Sequence, residues 1–195
     1  MYFSPEMIHA AEARYGLPLQ LRLNYPTPQA HFDFIRSTQR DGRLHDVTLY
    51  LYHQGRLAVT RKPPYPEGAY RPPSGGLHLG ESLEEGARRE AFEELGIEIK
   101  LVHYLLRVRV DFVCEGPRER GDRIPWTTHV FRARYADSGE PKLDPQDRHE
   151  IADAVWATEE EYFRNMRPGL LAMGSTGLLY RAHLQDFVWR NFGWR

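Results

Sequence analysis

The sequence predicts an α+β protein, an α/β/α sandwich in which a mixed β-sheet lies between helices. Strand-like and helix-like runs follow each other along the 195 residues, and loops rich in Pro and Gly separate them. Hydrophobic residues form 41% of the chain and aromatic residues 12%, which is enough for a packed core. No stretch has the composition of an inter-domain linker, so we expect a single domain over residues 1–195.

The N-terminal half begins with a helix. Ser4 and Pro5 are typical of its N-cap and first position, and a glycine follows its expected end at Tyr15. Alternating leucines then predict a short strand at 19–23, which two prolines interrupt. The elements that follow are predicted as a strand at 31–35, a turn at Arg40-Asp41-Gly42, a strand at Asp46–Tyr52, a tight turn at 53–55, a strand at Arg56–Arg61 and an irregular loop at 62–76.

The C-terminal half begins with the best-defined element, a helix over Ser82–Leu95. Ser82 and Glu85 form a capping box at its start, and Gly96 stands where a helix-ending glycine belongs. The remaining elements are predicted as strands at 97–113 and 126–135 with an Arg-rich loop at 115–124 between them, a loop at 137–150, a strand at Ala154–Ala157, a short helix starting with the capping box of Thr158, and an amphipathic helix over Thr176–Phe192.

Charge and cysteine content exclude several classes of protein. The net charge is −1, which argues against a nucleic-acid coat protein and against a stable nucleic-acid complex. Cys114 is the only cysteine, so no intramolecular disulfide forms and no cysteine-based metal site exists. The sequence starts without a signal-peptide pattern, and no apolar run approaches 18 residues. We therefore expect a cytoplasmic protein that does not bind membranes.

Three carboxylates of the predicted helix suggest its chemistry. Glu90, Glu93 and Glu94 stand at positions i, i+3 and i+4 and therefore lie on neighbouring parts of one helix face. They repel one another unless a positive charge stands between them, and oxygen-rich sites of this kind suit Mg²⁺ or Mn²⁺. A solvated acidic face is the alternative interpretation. The glycines before the helix allow close approach of the backbone, whose carbonyls can join a metal shell.

The segment at 75–97 resembles the Nudix box, Gly-x5-Glu-x7-Arg-Glu-U-x-Glu-Glu-x-Gly-U with U apolar. The matching residues are Gly75, Glu81, Arg89, Glu90, Ala91, Glu93, Glu94, Gly96 and Ile97. The resemblance implies a Nudix fold with a core at about 44–165, an N-terminal extension at 1–43 and a C-terminal helical segment at 166–195. It also implies a hydrolase that uses Mg²⁺ or Mn²⁺ to cleave the diphosphate bond of a nucleoside diphosphate linked to another moiety.

The resemblance also implies roles for individual residues. Glu90, Glu93 and Glu94 match the metal-binding carboxylates of the family, and Ser74 stands where a glycine carbonyl often binds metal. Arg89 is expected to orient a carboxylate of the box, as its family counterpart does. The structural residues of the box are Gly75, Glu81 and Gly96, with Glu81 bracing the loop by hydrogen bonds or holding metal through water. The general base is either Glu90 or an acid of the later loop, where Glu150 is the first candidate and Asp144, Asp147 and His149 are the others.

Substrate-binding residues are harder to place from sequence. Arg61, Lys62 and Arg71 are candidates for phosphate contacts, and Tyr65, Tyr70 and Trp126 are candidates for stacking on a base. The N-terminal extension either builds a homodimer interface or caps the active site. A catalytically silent ligand-binding sensor is the alternative function, although the intact box argues against it.

Overall fold

The computed structural model describes residues 4–39 and 43–194, which fold around one seven-stranded mixed sheet. The strands are β1 Leu19–Thr27, β2 His45–His53, β3 Arg56–Arg61, β4 Ser74–Gly76, β5 Ile99–Cys114, β6 Arg123–Tyr135 and β7 Asp153–Ala157. The helices are α1 Pro5–Tyr15, α2 Gln29–Ser37, α3 Leu83–Leu95, α4 Glu159–Glu161, α5 Arg167–Ala172 and α6 Thr176–Phe192, with a π-helical turn at Tyr162–Met166 between α4 and α5.

The strand order is β1-β5-β6-β2-β3-β7, and β4 pairs with β2 beside β3. The pairs β1–β5 and β2–β6 are parallel, and the other pairs are antiparallel. The sheet is therefore mixed, as the sequence predicts. Because β2 pairs with β6, β3 and β4, it is the strand that connects the two halves of the sheet.

Helices cover both faces of the sheet, which confirms the predicted sandwich. Residues of α1 and α3 pack with Val47, Leu49 and Leu51 of β2 in one core. Residues of α2 and α6 pack with Tyr50 of β2 in the other core. This division follows from the strand geometry, because successive side chains of β2 point to opposite faces.

The strand predicted at 31–35 is wrong, because this segment belongs to helix α2. Phe32 and Ile35 lie three positions apart and are both buried against the sheet, while Phe34 between them is exposed. This spacing is typical of a helix. Packing against the sheet outweighs the short local alternation that predicted a strand. The turn predicted at Arg40-Asp41-Gly42 lies outside the described residues.

Two other predicted boundaries differ from the structure. Strand β1 continues through Pro26 to Thr27, because β1 is the edge strand and a proline there needs no partner for the missing N–H. The loop predicted at 62–76 contains the short strand β4, which pairs Ser74 with Thr48 and Gly76 with Asp46. The capping-box helices at Ser82 and Thr158 and the last helix are confirmed.

Within residues 4–39 and 43–194, no helix has the length and apolar character needed to cross a membrane.

Candidate active site

Helix α3 and strand β4 position the acidic residues of the site. The predicted capping box is present, with the Ser82 N–H donating to Glu85 Oε2 at 2.8 Å and the Glu85 N–H donating to Ser82 Oγ at 3.2 Å. Gly96 ends the helix with φ +71°, and a Cβ there would lie 1.9 Å from the Asp144 carbonyl oxygen. Only glycine fits both requirements, so α3 has a fixed start and a fixed end.

Arg89 donates five hydrogen bonds, four of them to acidic residues of the box. Its Nη1 donates to Glu90 Oε1 and to Glu93 Oε2, both at 2.8 Å. Its Nε and Nη2 donate to the two oxygens of Glu81 at 2.8 and 2.9 Å, and Nη2 also donates to the Gly76 carbonyl at 2.8 Å. Arg89 therefore connects α3 to β4 and to the loop between them.

Glu81 braces that loop. Besides accepting from Arg89, its Oε2 accepts the His78 N–H at 2.8 Å. Glu81 thus holds the backbone just after the glycines of the box.

Glu94 lies on the inner side of the site and accepts three hydrogen bonds. Its Oε1 accepts from Arg71 Nη2 at 3.1 Å, and its Oε2 accepts from Thr60 Oγ1 and from the Ser74 N–H, both at 3.1 Å. Arg71 also donates to the Ser74 hydroxyl and, over longer distances of 3.4 and 3.5 Å, to the Ser74 carbonyl. Arg71 is thus the countercharge of Glu94.

Glu90 approaches the backbone of β4 closely. A Cβ on Gly75 would lie 1.9 Å from the Glu90 carboxylate, so a glycine at this position is what admits the side chain. Burial and the neighbouring Glu94 raise the pKa of Glu90 to about 7, against the opposing effect of Arg89. Glu90 therefore titrates near neutral pH in the absence of a bound cation, even though Arg89 donates to it.

The donor set fits a hard divalent cation. It consists of carboxylate oxygens and the Ser74 carbonyl, which are the ligands that Mg²⁺ and Mn²⁺ prefer. In the part of the chain that the structure describes, no group of three or more His, Cys, Asp or Glu side chains is already arranged to hold a metal ion. The box carboxylates face Arg89 and Arg71 instead, so a cation would compete with these arginines for Glu90 and Glu93.

A cavity of about 740 Å³ extends from the box carboxylates across the sheet face. Residues from outside the box form much of the cavity wall. They are Ile35 of α2, Arg43 just before β2, Asp46 in β2, and Tyr180 and Arg181 of α6, among others. Residues of both terminal extensions therefore contribute to the wall of this cavity. Sequence reasoning missed Arg43, Asp46 and Arg181, because no motif marks them and only the tertiary fold brings them to the box.

The other predicted residues divide into two groups. Glu150, Lys62, Tyr65 and Trp126 line the cavity, and Lys62 Nζ pairs with Glu150 Oε2 at 2.6 Å. The residues Arg61 and Tyr70, both within the described part, are not among those lining this cavity.

Arg61 and Tyr70 make hydrogen bonds beside the cavity instead. Tyr70 Oη donates to Asp153 Oδ2 at 2.5 Å, and Arg61 Nη1 donates to the Tyr65 carbonyl at 3.4 Å. Both side chains thus help to position the chain next to the site.

Comparisons with known proteins find relatives of this chain. The chain is similar to the RNA pyrophosphohydrolase of Novosphingobium aromaticivorans, with 30% identity over 55% of this chain and 72% of that protein. It is also similar to the NAD-capped RNA hydrolase NudC of Photobacterium profundum, with 26% identity over 55% of this chain but only 35% of that protein. A solved UDP-X diphosphatase is 18% identical, with a TM-score of 0.48 over 80% of this chain and 72% of that one.

The sandwich fold and the intact acidic box on α3 are the features expected of a NUDIX domain. A family model described as the NUDIX domain matches residues 43–173, about two thirds of the chain. The chain therefore belongs to the NUDIX domain family.

Proposed function

We propose that this protein hydrolyses, with Mg²⁺ or Mn²⁺, the phosphoanhydride bond of a nucleoside diphosphate linked to another moiety, by attack of water on phosphorus. One observation carries the proposal: Glu90, Glu93 and Glu94 are assembled at one end of a cavity large enough for a nucleotide. The relatives named for pyrophosphate and cap hydrolysis support the same reaction class.

Glu90, Glu93 and Glu94 would hold the metal together with the Ser74 carbonyl. Bound there, Mg²⁺ or Mn²⁺ neutralises charge on the diphosphate and lowers the pKa of a coordinated water. Arg89 keeps Glu90 and Glu93 in place, since both accept from its Nη1 at 2.8 Å. Glu93 has the most exposed of the three side chains, at 39%, so its carboxylate is the most accessible to an incoming cation.

Glu90, Glu150 and Asp147 remain candidates for the general base, since all three line the cavity. Glu90 has a pKa near 7 when no cation is bound, and it would act as the base only if it did not itself hold the metal. Glu150 lines the same cavity and pairs with Lys62, whose ammonium would also face the phosphates of the substrate. The catalytic residues of the proposal are thus Glu90, Glu93, Arg89 and Glu150.

We also propose a cytoplasmic location, because the single cysteine, Cys114, is buried and free. The substrate is proposed to be a small nucleotide-type molecule, with no stable nucleic-acid complex. A homodimer built by the N-terminal extension stays a proposal that gel filtration of the full chain would test.

The test is turnover of a substrate panel with and without added Mg²⁺ or Mn²⁺. The panel contains nucleoside triphosphates, ADP-ribose, dinucleoside polyphosphates and nucleotide sugars, and the products identify which bond breaks. Metal-dependent release of phosphate or a nucleoside monophosphate is expected. Absence of turnover across the panel, with binding of one of its members, would favour a ligand-binding sensor.

A further inference from the structure

We propose that Asp46 determines substrate specificity: its carboxylate accepts a hydrogen bond from an N–H or O–H group of the nucleoside part of the substrate. This inference rests on the proposed function, because it places the nucleoside in the part of the cavity that the diphosphate does not occupy.

Asp46 lies next to the Nudix box although it is not part of it. In the register of β2 and β4, Asp46 pairs with Gly76, whose carbonyl accepts from Arg89 at 2.8 Å. Residues paired across antiparallel strands are about 5 Å apart at their Cα atoms. Asp46 and the box carboxylates line the same cavity. A substrate with its diphosphate at the box therefore has its next group within reach of Asp46.

The Asp46 carboxylate is buried and incompletely satisfied. The residue is 1% exposed, and Oδ2 accepts from Arg181 Nη2 at a long 3.3 Å. Oδ1 is buried and accepts no hydrogen bond from any residue that the structure describes. Buried carboxylate oxygens in folded proteins nearly always accept a hydrogen bond, because leaving them unpaired is costly. Since no described residue donates to Oδ1, the arrangement points to a donor on a bound molecule.

The charge of Asp46 indicates which part of the substrate lies there. A carboxylate repels phosphate groups, so the diphosphate is directed toward the metal ligands and toward Lys62. A neutral group with a hydrogen-bond donor is what remains, and nucleobases and ribose both supply one. The same oxygen therefore favours a neutral hydrogen-bond donor, such as those of the nucleoside.

The surrounding wall has the character of a nucleoside site. Trp126 and Phe34 line the cavity with Leu178, and the Arg43 guanidinium lies 6.0 Å from the centre of the Trp126 ring. Flat aromatic side chains stack on any base, whereas a hydrogen-bond acceptor in a fixed position distinguishes between bases. Stacking alone would thus give affinity, and Asp46 would add selectivity.

Arg181 is the positioning residue for this carboxylate. It reaches Asp46 from helix α6, across 135 positions of the sequence, and its own side chain is 24% exposed. The C-terminal helix thereby contributes to substrate selection without contacting the reacting phosphorus.

The test compares the best substrate with analogues that each lack one donor. Purine riboside replaces adenosine, inosine replaces guanosine, and 2′-deoxy and 3′-deoxy sugars replace ribose. For the full-length wild-type enzyme, one analogue should lower kcat/KM by about ten- to a hundredfold, the usual effect of losing a hydrogen bond to a charged group. A penalty from a base analogue assigns the base as the donor, and a penalty from a sugar analogue assigns the ribose.

The variant Asp46→Asn should lose most of that penalty, because its amide no longer offers the same charged acceptor. Asp111→Asn is the matched control, since Asp111 pairs with Arg123 and is outside the residues lining this cavity. The control should discriminate like wild type. Equal kcat/KM for every analogue in the wild type, or an unchanged penalty in Asp46→Asn, would overturn the proposal. The wild-type comparison needs no variant and stays valid if Asp46→Asn does not fold.

Calorimetric binding of the corresponding nucleoside monophosphates separates this proposal from the proposed function. If no substrate is turned over but binding of the monophosphate depends on the same donor and on Asp46, the hydrolase proposal fails and the Asp46 proposal holds. If turnover is metal-dependent and no donor affects either kcat/KM or binding, the hydrolase proposal holds and the Asp46 proposal fails.

Discussion

Arg71 and Glu94 form an ion pair that is buried on both sides: Arg71 Nη2 lies 3.1 Å from Glu94 Oε1, and each side chain is 3% exposed. The pair joins the strand-connecting loop before β4 to the helix that carries the Nudix box. Glu94 is thus held by the fold on one side while it is proposed to hold metal on the other.

Replacing Arg71 should strongly destabilise the protein. In Arg71→Leu the buried Glu94 carboxylate loses its countercharge, and breaking such a pair typically costs about 3–5 kcal/mol of unfolding free energy. Urea unfolding followed by circular dichroism measures the loss. Arg164→Ala is the control, because its pair with Glu160 is exposed and should contribute about 0.5 kcal/mol or less. Equal losses in the two variants would contradict the assigned role.

Arg89 should affect turnover more than substrate binding. A lysine cannot reproduce its five hydrogen bonds, so Glu90 and Glu93 lose their common anchor in Arg89→Lys. We expect kcat to fall by about a hundredfold, the usual effect of misplacing a catalytic group by an ångström, with a smaller change in KM. Arg88→Lys, on the same helix but paired with Glu84 outside the box carboxylates, should behave like wild type in steady-state kinetics.

Metal affinity should depend on pH through Glu90. The carboxyl must lose its proton to bind a cation, and its pKa is about 7 without one. Mn²⁺ affinity should therefore rise with pH, by close to tenfold per unit below pH 7, and level off above it. Titration of Mn²⁺ into the protein between pH 5.5 and 8.5 measures this. Glu90→Gln should bind more weakly and lack this dependence, and a wild-type affinity that is flat below pH 7 would refute the assignment.

The stacked pair His45 and His129 should make the fold sensitive to acid. Burial lowers the pKa of His45 to about 4, assisted by Arg109, and lowers that of His129 well below its usual range. Between pH 6.5 and 4 the unfolded chain binds protons that the folded chain does not, so stability falls as the pH falls. The slope is about 1.4 kcal/mol per pH unit for each such histidine.

Unfolding curves at several pH values measure that slope. His45→Gln should reduce it, whereas His103→Gln should leave it unchanged because His103 is exposed. A slope that is equal in wild type and His45→Gln would exclude His45 as a source of acid sensitivity.

Local signals made the box helix predictable from sequence. Ser82, Glu85 and Gly96 interact with residues close to them in the chain, so their pattern alone defines the ends of α3. The same holds for the hairpin of β2 and β3, where Gln54 and Gly55 adopt positive φ in a two-residue turn.

Long-range contacts made the remaining features unpredictable. The segment at 31–35 alternates locally, and only its packing against the sheet shows that it is a helix. Asp46 and Arg181 meet through the packing of α6 on β2, and neither has a neighbouring motif that indicates the contact. Arg71 was predicted to contact phosphate because it is an arginine close to the box. Its burial against Glu94 depends on the whole fold and could not be predicted from that position.

Metal binding by the box carboxylates is the basis of the proposed hydrolysis. The decisive measurement is kcat with saturating Mg²⁺ or Mn²⁺ for wild type, Glu94→Gln and the exposed-site control Glu98→Gln, using the best substrate of the panel. We expect Glu94→Gln to lower kcat by about a hundredfold or more, the scale of lost transition-state electrostatics, and Glu98→Gln to match wild type. A Glu94→Gln enzyme with wild-type kcat, or wild-type turnover that persists in EDTA, would contradict it.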